Sequence, residues 1–208
     1  MLVAITDLSL LPAAVLLERL RRLARAAKPQ RVALMLRDHA ASGRQRLALG
    51  LELRAIAQEH EQQLWIADRA DLALLLEADA LHLGEASVSA RAVRPLLPEG
   101  MRNSRAWHAP ACAGTDVDAE LADVDVLLLS PLLSPRKGRP ALGLAALCVL
   151  GEQLRARNQA YPQLFALGGV TADNAASCLA AGAAGVAAIG AALAPDPSSL
   201  LEALGIRR

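Results

Sequence analysis

The chain has 208 residues, a length that suits one domain with a sizeable buried core. Its apolar fraction is 54% with only 2% aromatic residues, which is typical of helices packed on a buried parallel sheet and unlike a β-sandwich or a disulfide-rich scaffold. The net charge is +1 with both signs interspersed, which argues against nucleic acid or an acidic membrane as a partner.

The first half of the chain alternates short apolar runs with amphipathic segments. Pro12 opens the first of these segments, and Pro29 follows its end as a stop signal. The pattern predicts strands at 2–6, 31–36, 63–67 and 80–83, and helices at 12–27, 44–59 and 71–77.

The second half repeats this alternation. Ser87 or Ser89 can cap a helix that ends at 95, and Thr115 or Asp116 can cap a short helix that ends at 122. Further strands are predicted at 102–107 and 125–129 and within 165–170 and 184–191, with helices at 143–157, 172–181 and 197–204.

Eight strand–helix units follow one another with no linker between them. This arrangement predicts an α/β protein, a single-domain (β/α)8 TIM barrel spanning residues 1–208. A doubly wound open sheet is the structural alternative, but it rarely needs eight parallel strands in so few residues.

The last two predicted strands run directly into glycine. The first ends at Gly168 and Gly169, and the second ends at Gly190. Glycine at the end of a parallel strand lets backbone N–H groups approach a ligand closely, and phosphate is the ligand that such turns favour. Two such turns after the last two strands of a (β/α)8 barrel form its usual phosphate site.

Polar residues follow most of the other predicted strands, where barrel enzymes place their catalytic groups. They are Asp7, Arg37, Asp38, His39, Asp68, Arg69, His82, His108, Arg136 and Lys137. Several have a structural alternative: Asp7 or Asp68 can cap a following helix, and His82 can be a hydrogen-bonded core histidine. Convergence of many polar groups on one rim favours a binding site, because unpaired polar groups there cost free energy.

The three cysteines, Cys112, Cys148 and Cys178, show no CxxC or zinc-binding spacing. They are predicted to be small buried thiols in a reducing compartment. The N-terminus lacks the pattern of a signal peptide, and no apolar run approaches the roughly 18 residues of a membrane span. We therefore expect a cytoplasmic protein.

The order of these segments resembles the thiamine phosphate synthase/TenI superfamily nearly end to end. The matching segments are AITD at 4–7, LRDH at 36–39, IADRADLA at 66–73, EADALHLG at 77–84, AWH at 106–108, LSPL at 129–132, LGGV at 167–170 and AGAAGV at 181–186. No single segment is decisive, but eight in the family's order on the expected strands are specific.

The resemblance implies a small-molecule ligand, the thiazole phosphate used to make thiamine. Its phosphate would contact the backbone at Gly168, Gly169, Ile189 and Gly190. The synthase branch joins this thiazole to a pyrimidine diphosphate with the help of Mg2+, whereas the TenI branch tautomerises a carboxythiazole phosphate by proton transfer. The resemblance leaves a homo-oligomer possible and implies neither nucleic acid nor a membrane as partner.

The sequence departs from the family where the synthase holds its metal. Asp68 matches one metal ligand, but the second metal-binding Asp falls at Ser87. Glu85, where the family usually has Gln, is the nearby carboxylate that could substitute. Losing one carboxylate weakens the expected grip on Mg2+.

The pyrophosphate side is changed as well. Arg37 is kept, His39 stands where the family has a pyrophosphate-binding Lys, and Lys137 keeps basic charge after the sixth strand with altered spacing. These three residues are the candidates for the pyrimidine and pyrophosphate side of the site.

His108 aligns with the histidine of the TenI branch, and a histidine can remove a ring proton and return it elsewhere near neutral pH. We therefore expect a TenI-type tautomerase with His108 as acid/base and His82 as a second catalytic candidate. Mg2+ is expected only if synthase activity is retained. The alternatives are a thiamine phosphate synthase, a non-catalytic phosphate-binding relative, and a purely structural His108.

Overall fold

The computed structural model describes residues 1–109, 121–156 and 161–208. Eight parallel strands, in sequence order from β1 to β8, close into a barrel, which confirms the predicted (β/α)8 fold. The strands are β1 (Leu2–Ile5), β2 (Val32–Leu36), β3 (Gln63–Ala67), β4 (Ala80–Leu83), β5 (Arg102–Trp107), β6 (Val126–Leu129), β7 (Gln163–Leu167) and β8 (Gly185–Ala188).

Helices connect the strands around the outside of the barrel. Within the described residues they span Ala13–Ala26, Gly43–Glu59, Ala70–Leu75, Ala90–Val93, Leu144–Ala156, Ala172–Ala180 and Ser198–Ala203, with a 3-10 turn at Arg94–Leu96. The predicted short helix beginning at Thr115 or Asp116 starts outside the described residues.

Side-chain caps explain several helix starts. Ser42 accepts a hydrogen bond from the Gln45 backbone, while the Gln45 side chain accepts one from the Ser42 backbone, a complete capping box. Of the two serines predicted to cap the fourth helix, Ser89 does so by accepting from the backbone of Ala92. Asp7 instead accepts from the Ser9 backbone in a turn, so its predicted helix-capping alternative is wrong.

The barrel is filled by large side chains from alternate positions of the strands. Met35, Trp65 and Phe165 are fully buried among the interior residues, and the rings of Trp65 and Phe165 lie 6.3 Å apart. A second apolar cluster lies between the strands and the helices. Because both faces of most strands are buried, the strands read as continuous apolar runs, which is why their bounds could be predicted to within one or two residues.

The amino ends of the strands, which we call the amino end of the barrel, are closed by Gln62. Its side-chain oxygen accepts from the backbone of Arg31 and Val32, and its amide nitrogen donates to the carbonyls of Ala24, Ala27 and Lys28. At 4% exposure this residue bonds to five main-chain groups, and so joins the end of the first helix to the start of β2.

Two aspartates act similarly at the same end. Asp79, just before β4, accepts from the backbone of Leu64 and pairs with Arg54. Asp125, just before β6, accepts from the backbone of Asn103 and pairs with Arg94. Each carboxylate therefore ties its own strand to the strand before it.

Cys178 is buried, as predicted for all three cysteines, but Cys148 is exposed, which corrects that prediction for the helix Leu144–Ala156. Its thiol lies on the outer side of the helix layer, 3.5 Å from the carbonyl of Ala181. Cys112 lies outside the described residues. None of the described helices combines the length and the hydropathy required to span a bilayer.

Candidate active site at the carboxyl end of the barrel

His108 follows the last residue of β5 and is fixed by a main-chain contact. Its Nδ1 lies 2.6 Å from the carbonyl oxygen of Ser130, and the hydroxyl of the same serine lies 3.2 Å away. A carbonyl oxygen only accepts hydrogen bonds, so Nδ1 carries a proton and donates it. In the neutral ring the lone pair is therefore on Nε2, which leaves that nitrogen available as a base.

An open cavity of about 390 Å³ lies beside this histidine. Its lining residues are Glu85, Arg105, Ala106, Trp107, His108, Ala109 and Arg139. Nε2 of His108 is 3.9 Å from Oε2 of Glu85, so the base and the carboxylate lie together at the wall of the cavity. A small heterocycle fits within such a volume, which makes this cavity the candidate site for the reacting ring.

Glu85 is held by an arginine from a distant part of the chain. Nη2 of Arg139 donates to both carboxylate oxygens of Glu85, at 2.8 and 2.7 Å. This hydrogen bond lowers the pKa of Glu85 below its ordinary value, so the group is ionised at neutral pH. Sequence reasoning named Glu85 as a substitute metal ligand, whereas the structure engages it with a guanidinium.

Arg139 ends a tight hairpin in the loop after β6. The backbones of Arg136 and Arg139 exchange two hydrogen bonds, of 3.1 and 3.0 Å, across the turn residues Lys137 and Gly138. Both turn residues have positive φ, at 50° and 74°, the combination of a two-residue type I′ turn. The turn puts Lys137 at an exposed tip and carries Arg139 back toward Glu85.

Asp68, the candidate metal ligand, is already engaged within the protein. Its Oδ1 accepts from the backbone of Gly84 at 3.0 Å and from the hydroxyl of Ser87. Burial alone would raise the pKa of Asp68, but the hydrogen bonds from Ser87 and Gly84 outweigh it and lower the pKa. The carboxylate binds Gly84 and Ser87, which lie after β4, and it does not cap the helix Ala70–Leu75. The helix-capping alternative for Asp68 is therefore wrong.

These residues do not fit a divalent cation of the synthase type. Such an ion needs several oxygen ligands, usually with more than one carboxylate. Ser87 donates a hydrogen bond to Asp68 instead of supplying a second carboxylate, and Glu85 is paired with Arg139. Within residues 1–109, 121–156 and 161–208, no group of three or more His, Cys, Asp or Glu is arranged to hold a metal ion.

The residues after β2 lie near Asp68. His39 is 3.8 Å from Oδ2 of Asp68 through its Nδ1 and has a half-exposed side chain. Burial, followed by the neighbouring charge of Arg37, lowers the pKa of His39. Asp38 serves a different purpose, because its carboxylate accepts from the Thr6 hydroxyl and the Leu8 backbone and so ties the β1 loop to β2.

His82 lies in the buried part of the barrel wall rather than at the cavity. It is 5% exposed, and its Nδ1 lies 2.9 Å from the hydroxyl of Ser104 on the neighbouring strand β5. Burial lowers the pKa of His82 to about 4, so the ring is neutral at physiological pH. The alternative of a hydrogen-bonded core histidine describes this environment.

The glycine turn after β7 packs tightly against the loop after β6. Gly168 and Gly169 have φ of 102° and 77°, and a Cβ at Gly169 would lie 2.9 Å from the backbone nitrogen of Ser134. The side chain of Asn174 holds the turn by donating to the carbonyl of Gly169 and accepting from the backbone of Thr171. The two glycines are thus required by the backbone itself, whatever they bind.

The glycine after β8 has a different environment. A Cβ at Gly190 would meet nothing within 4 Å, so open space lies beside this exposed position. Ile189 precedes it and packs partly against the barrel interior. The β8 turn therefore leaves room for a ligand, while the β7 turn is packed.

Two features of the site were missed by sequence reasoning. The backbone carbonyl of Ser130 orients His108, and Arg139 pairs with Glu85 from 54 residues away along the chain. Gly138 is the local hint of the hairpin turn, because glycine adopts the positive φ of that position at little cost. No local pattern could have predicted that Arg139 of this hairpin pairs with Glu85.

Comparison with known proteins identifies the family. The sequence profile described as "Thiamine monophosphate synthase" matches residues 2–192. The thiamine-phosphate synthase of Roseiflexus sp. (strain RS-1) is 35% identical over 174 residues, which are 82% of this chain and 70% of that protein. That of Parasynechococcus marenigrum (strain WH8102) is 33% identical over 154 residues, which are 73% of this chain but only 42% of that protein.

A solved structure gives the same result for the fold. The thiamine phosphate pyrophosphorylase from Pyrococcus furiosus superposes with a TM-score of 0.80 at 24% identity, covering 98% of this chain and 95% of that one. The profile match extends over nearly the whole chain, and it includes the strand ends that carry Asp68, His108 and the glycine turns after β7 and β8. This chain belongs to the thiamine phosphate synthase/TenI superfamily.

Proposed function

We propose that this protein binds a thiazole phosphate in thiamine biosynthesis and tautomerises the thiazole ring by proton transfer, with His108 as the acid/base. The observation that carries the proposal is the 2.6 Å contact between Nδ1 of His108 and the Ser130 carbonyl, beside the cavity. This contact fixes the ring with Nε2 as its basic nitrogen, as a general base requires.

In this proposal the phosphate and the ring are held at different strands. The phosphate contacts the backbone at the turns of Gly168 and Gly169 after β7 and of Ile189 and Gly190 after β8. The ring lies in the cavity beside His108. Nε2 takes a proton from one ring atom and returns it to another, so one bond to hydrogen breaks, another forms, and no other reactant is consumed.

The engaged state of Asp68 supports proton transfer over metal-dependent coupling. A hydroxyl at Ser87, bonded to Oδ1 of Asp68, stands where the coupling reaction calls for a second carboxylate, and proton transfer by a single histidine has no such requirement. Arg37, His39 and Lys137 still supply cationic or polar groups on this side, where they would contact the rest of the ligand.

The test is turnover of carboxythiazole phosphate followed by NMR in the presence of EDTA. His108→Ala is expected to lower kcat by about 10²–10⁴-fold, the usual contribution of a general acid/base. The control is His60→Gln, which removes a histidine at the C-cap of the helix Gly43–Glu59, at the amino end of the barrel. Equal turnover by wild type and His108→Ala would exclude this mechanism.

A thiamine phosphate synthase is the second candidate, favoured by the similarity to thiamine-phosphate synthases at 33–35% identity. The corresponding assay supplies the pyrimidine diphosphate, thiazole phosphate and Mg2+ and measures released pyrophosphate. Pyrophosphate release by the wild-type protein at a rate equal to or above its tautomerisation of carboxythiazole phosphate would establish the synthase instead. Binding of thiazole phosphate with no turnover in either assay would leave a non-catalytic binding protein.

A further inference from the structure

The carboxylate of Glu85 lies between a cation and the candidate base. Arg139 donates to both of its oxygens at 2.8 and 2.7 Å, and Nε2 of His108 is 3.9 Å from Oε2. All three side chains line the same cavity of about 390 Å³. The protein thus places one of its own carboxylates in a ligand-sized space.

Three neighbouring strands supply this arrangement. Glu85 follows β4, His108 follows β5, and Arg139 follows β6, so adjacent loops bring the groups together. Arg105 also lines the cavity, and its guanidinium donates to the carbonyl of Val88 at 3.0 Å. Two guanidinium groups at the wall of one cavity make a site that is suited to an anion.

The contact that holds Glu85 is weak enough to exchange. The side chain of Glu85 is 58% exposed and that of Arg139 is 40% exposed, so water competes for both partners. Exposed ion pairs of this kind contribute little to stability. A ligand that carries both a carboxylate and a phosphate, with the phosphate bound elsewhere in the protein, can therefore replace Glu85 with its own carboxylate.

We propose that Arg139 forms a carboxylate subsite beside His108 that recognises the carboxyl group of a carboxylated thiazole phosphate, and that Glu85 occupies this subsite until the ligand displaces it. The proposal rests on the proposed function and specifies which of two thiazole phosphates the site prefers. Arg139 is then a specificity-determining residue, and Glu85 is an internal competitor.

The exchange also fits the chemistry of the base. While Glu85 occupies the subsite, its carboxylate lies 3.9 Å from Nε2 of His108, in the space that the ligand ring has to enter. When the ligand carboxylate takes its place, the guanidinium of Arg139 stays paired and Nε2 becomes accessible to the ligand ring. The ligand ring is then brought to the base by the same contact that selects it.

The experiment measures binding rather than turnover. Calorimetry determines the Kd of carboxythiazole phosphate and of the same thiazole phosphate lacking the carboxyl group, for the full chain and its variants. Arg139→Gln is expected to weaken binding of the carboxylated ligand by about tenfold and to leave the other ligand unchanged. Glu85→Gln is expected to strengthen binding of the carboxylated ligand by about threefold.

Arg136→Gln is the matched control, because it removes a positive charge from the same hairpin but not from the cavity lining. It is expected to leave the ratio of the two Kd values unchanged. Equal effects of Arg139→Gln on both ligands, or weaker carboxylate binding in Glu85→Gln, would overturn the subsite. If the Kd ratios change as expected but the wild-type protein shows no turnover, the proposed tautomerisation fails while the subsite stands. The two failures are therefore distinguishable.

Discussion

The two ends of the barrel use the same kinds of polar side chain in different ways. At the amino end, Gln62, Asp79 and Asp125 each bond to the main chain, and Gln62 alone contacts five main-chain groups. At the carboxyl end, His108 is anchored through one nitrogen and presents the other beside a cavity. Polar groups saturated by the backbone stabilise the fold, whereas polar groups anchored on one side are available for chemistry.

The largest effect on stability is expected at the amino end, from Gln62→Leu. This change removes the side-chain partner of two N–H groups and three carbonyls, of which Arg31 and Lys28 still bond to each other, so we expect a loss of about 3 kcal/mol in the free energy of unfolding. Chemical denaturation measures it. Gln58→Leu, on the exposed face of the preceding helix Gly43–Glu59, is the control and should change stability by less than about 0.5 kcal/mol.

If Gln62→Leu were as stable as the wild type, the barrel would not depend on this residue to close its amino end. If Gln62→Leu stayed folded but lost as much ligand affinity as variants at the carboxyl end, the division of roles between the two ends would be wrong.

A second effect on stability is expected from His82, and it appears only at acidic pH. The folded-state pKa of about 4 is below the ordinary value of 6.5, so the unfolded chain binds the proton first as pH falls. The stabilising contribution is complete above about pH 6.5 and is lost as pH falls toward about 4, by roughly 1.4 kcal/mol per pKa unit. His82→Gln should flatten the stability curve in that window, and an unchanged slope would contradict the assignment.

The smallest effects separate the two glycine turns. Gly169→Ala should cost about 2 kcal/mol, because φ is 77° and the new Cβ would approach the backbone of Ser134. Gly190→Ala meets nothing within 4 Å and should change the free energy of unfolding by less than about 0.5 kcal/mol. The same variant should weaken thiazole phosphate binding, measured by calorimetry; unchanged affinity would mean that the phosphate binds elsewhere.

The fold was predictable because its signal is local and repeated. Most strands are apolar runs with both faces buried, and proline, serine or glycine marks the start or end of many segments. The same local reading placed His108 and the glycine turns at strand ends. It did not distinguish the packed turn at Gly169 from the open one at Gly190, since that difference depends on the neighbouring loop at Ser134.

The arrangement of the site was less predictable, because its contacts join residues that are distant in the chain. The sequence shows that Ser87 replaces a carboxylate, but not that its hydroxyl binds Asp68. The contact of Glu85 with Arg139 depends on the exact path of a hairpin, and the partners of Gln62 lie in two segments about 30 residues earlier in the chain. Such pairings follow from the closed barrel and become visible only with it.

The anchor of His108 has a consequence for how this protein can evolve. The acceptor that keeps the proton on Nδ1 is the main-chain oxygen of residue 130, which every amino acid possesses. Substitution of the Ser130 side chain therefore preserves the tautomer, and only a change in the course of the backbone would disturb it. The orientation of His108 is encoded by the geometry between β5 and β6, so the neighbouring side chains can vary without disturbing it.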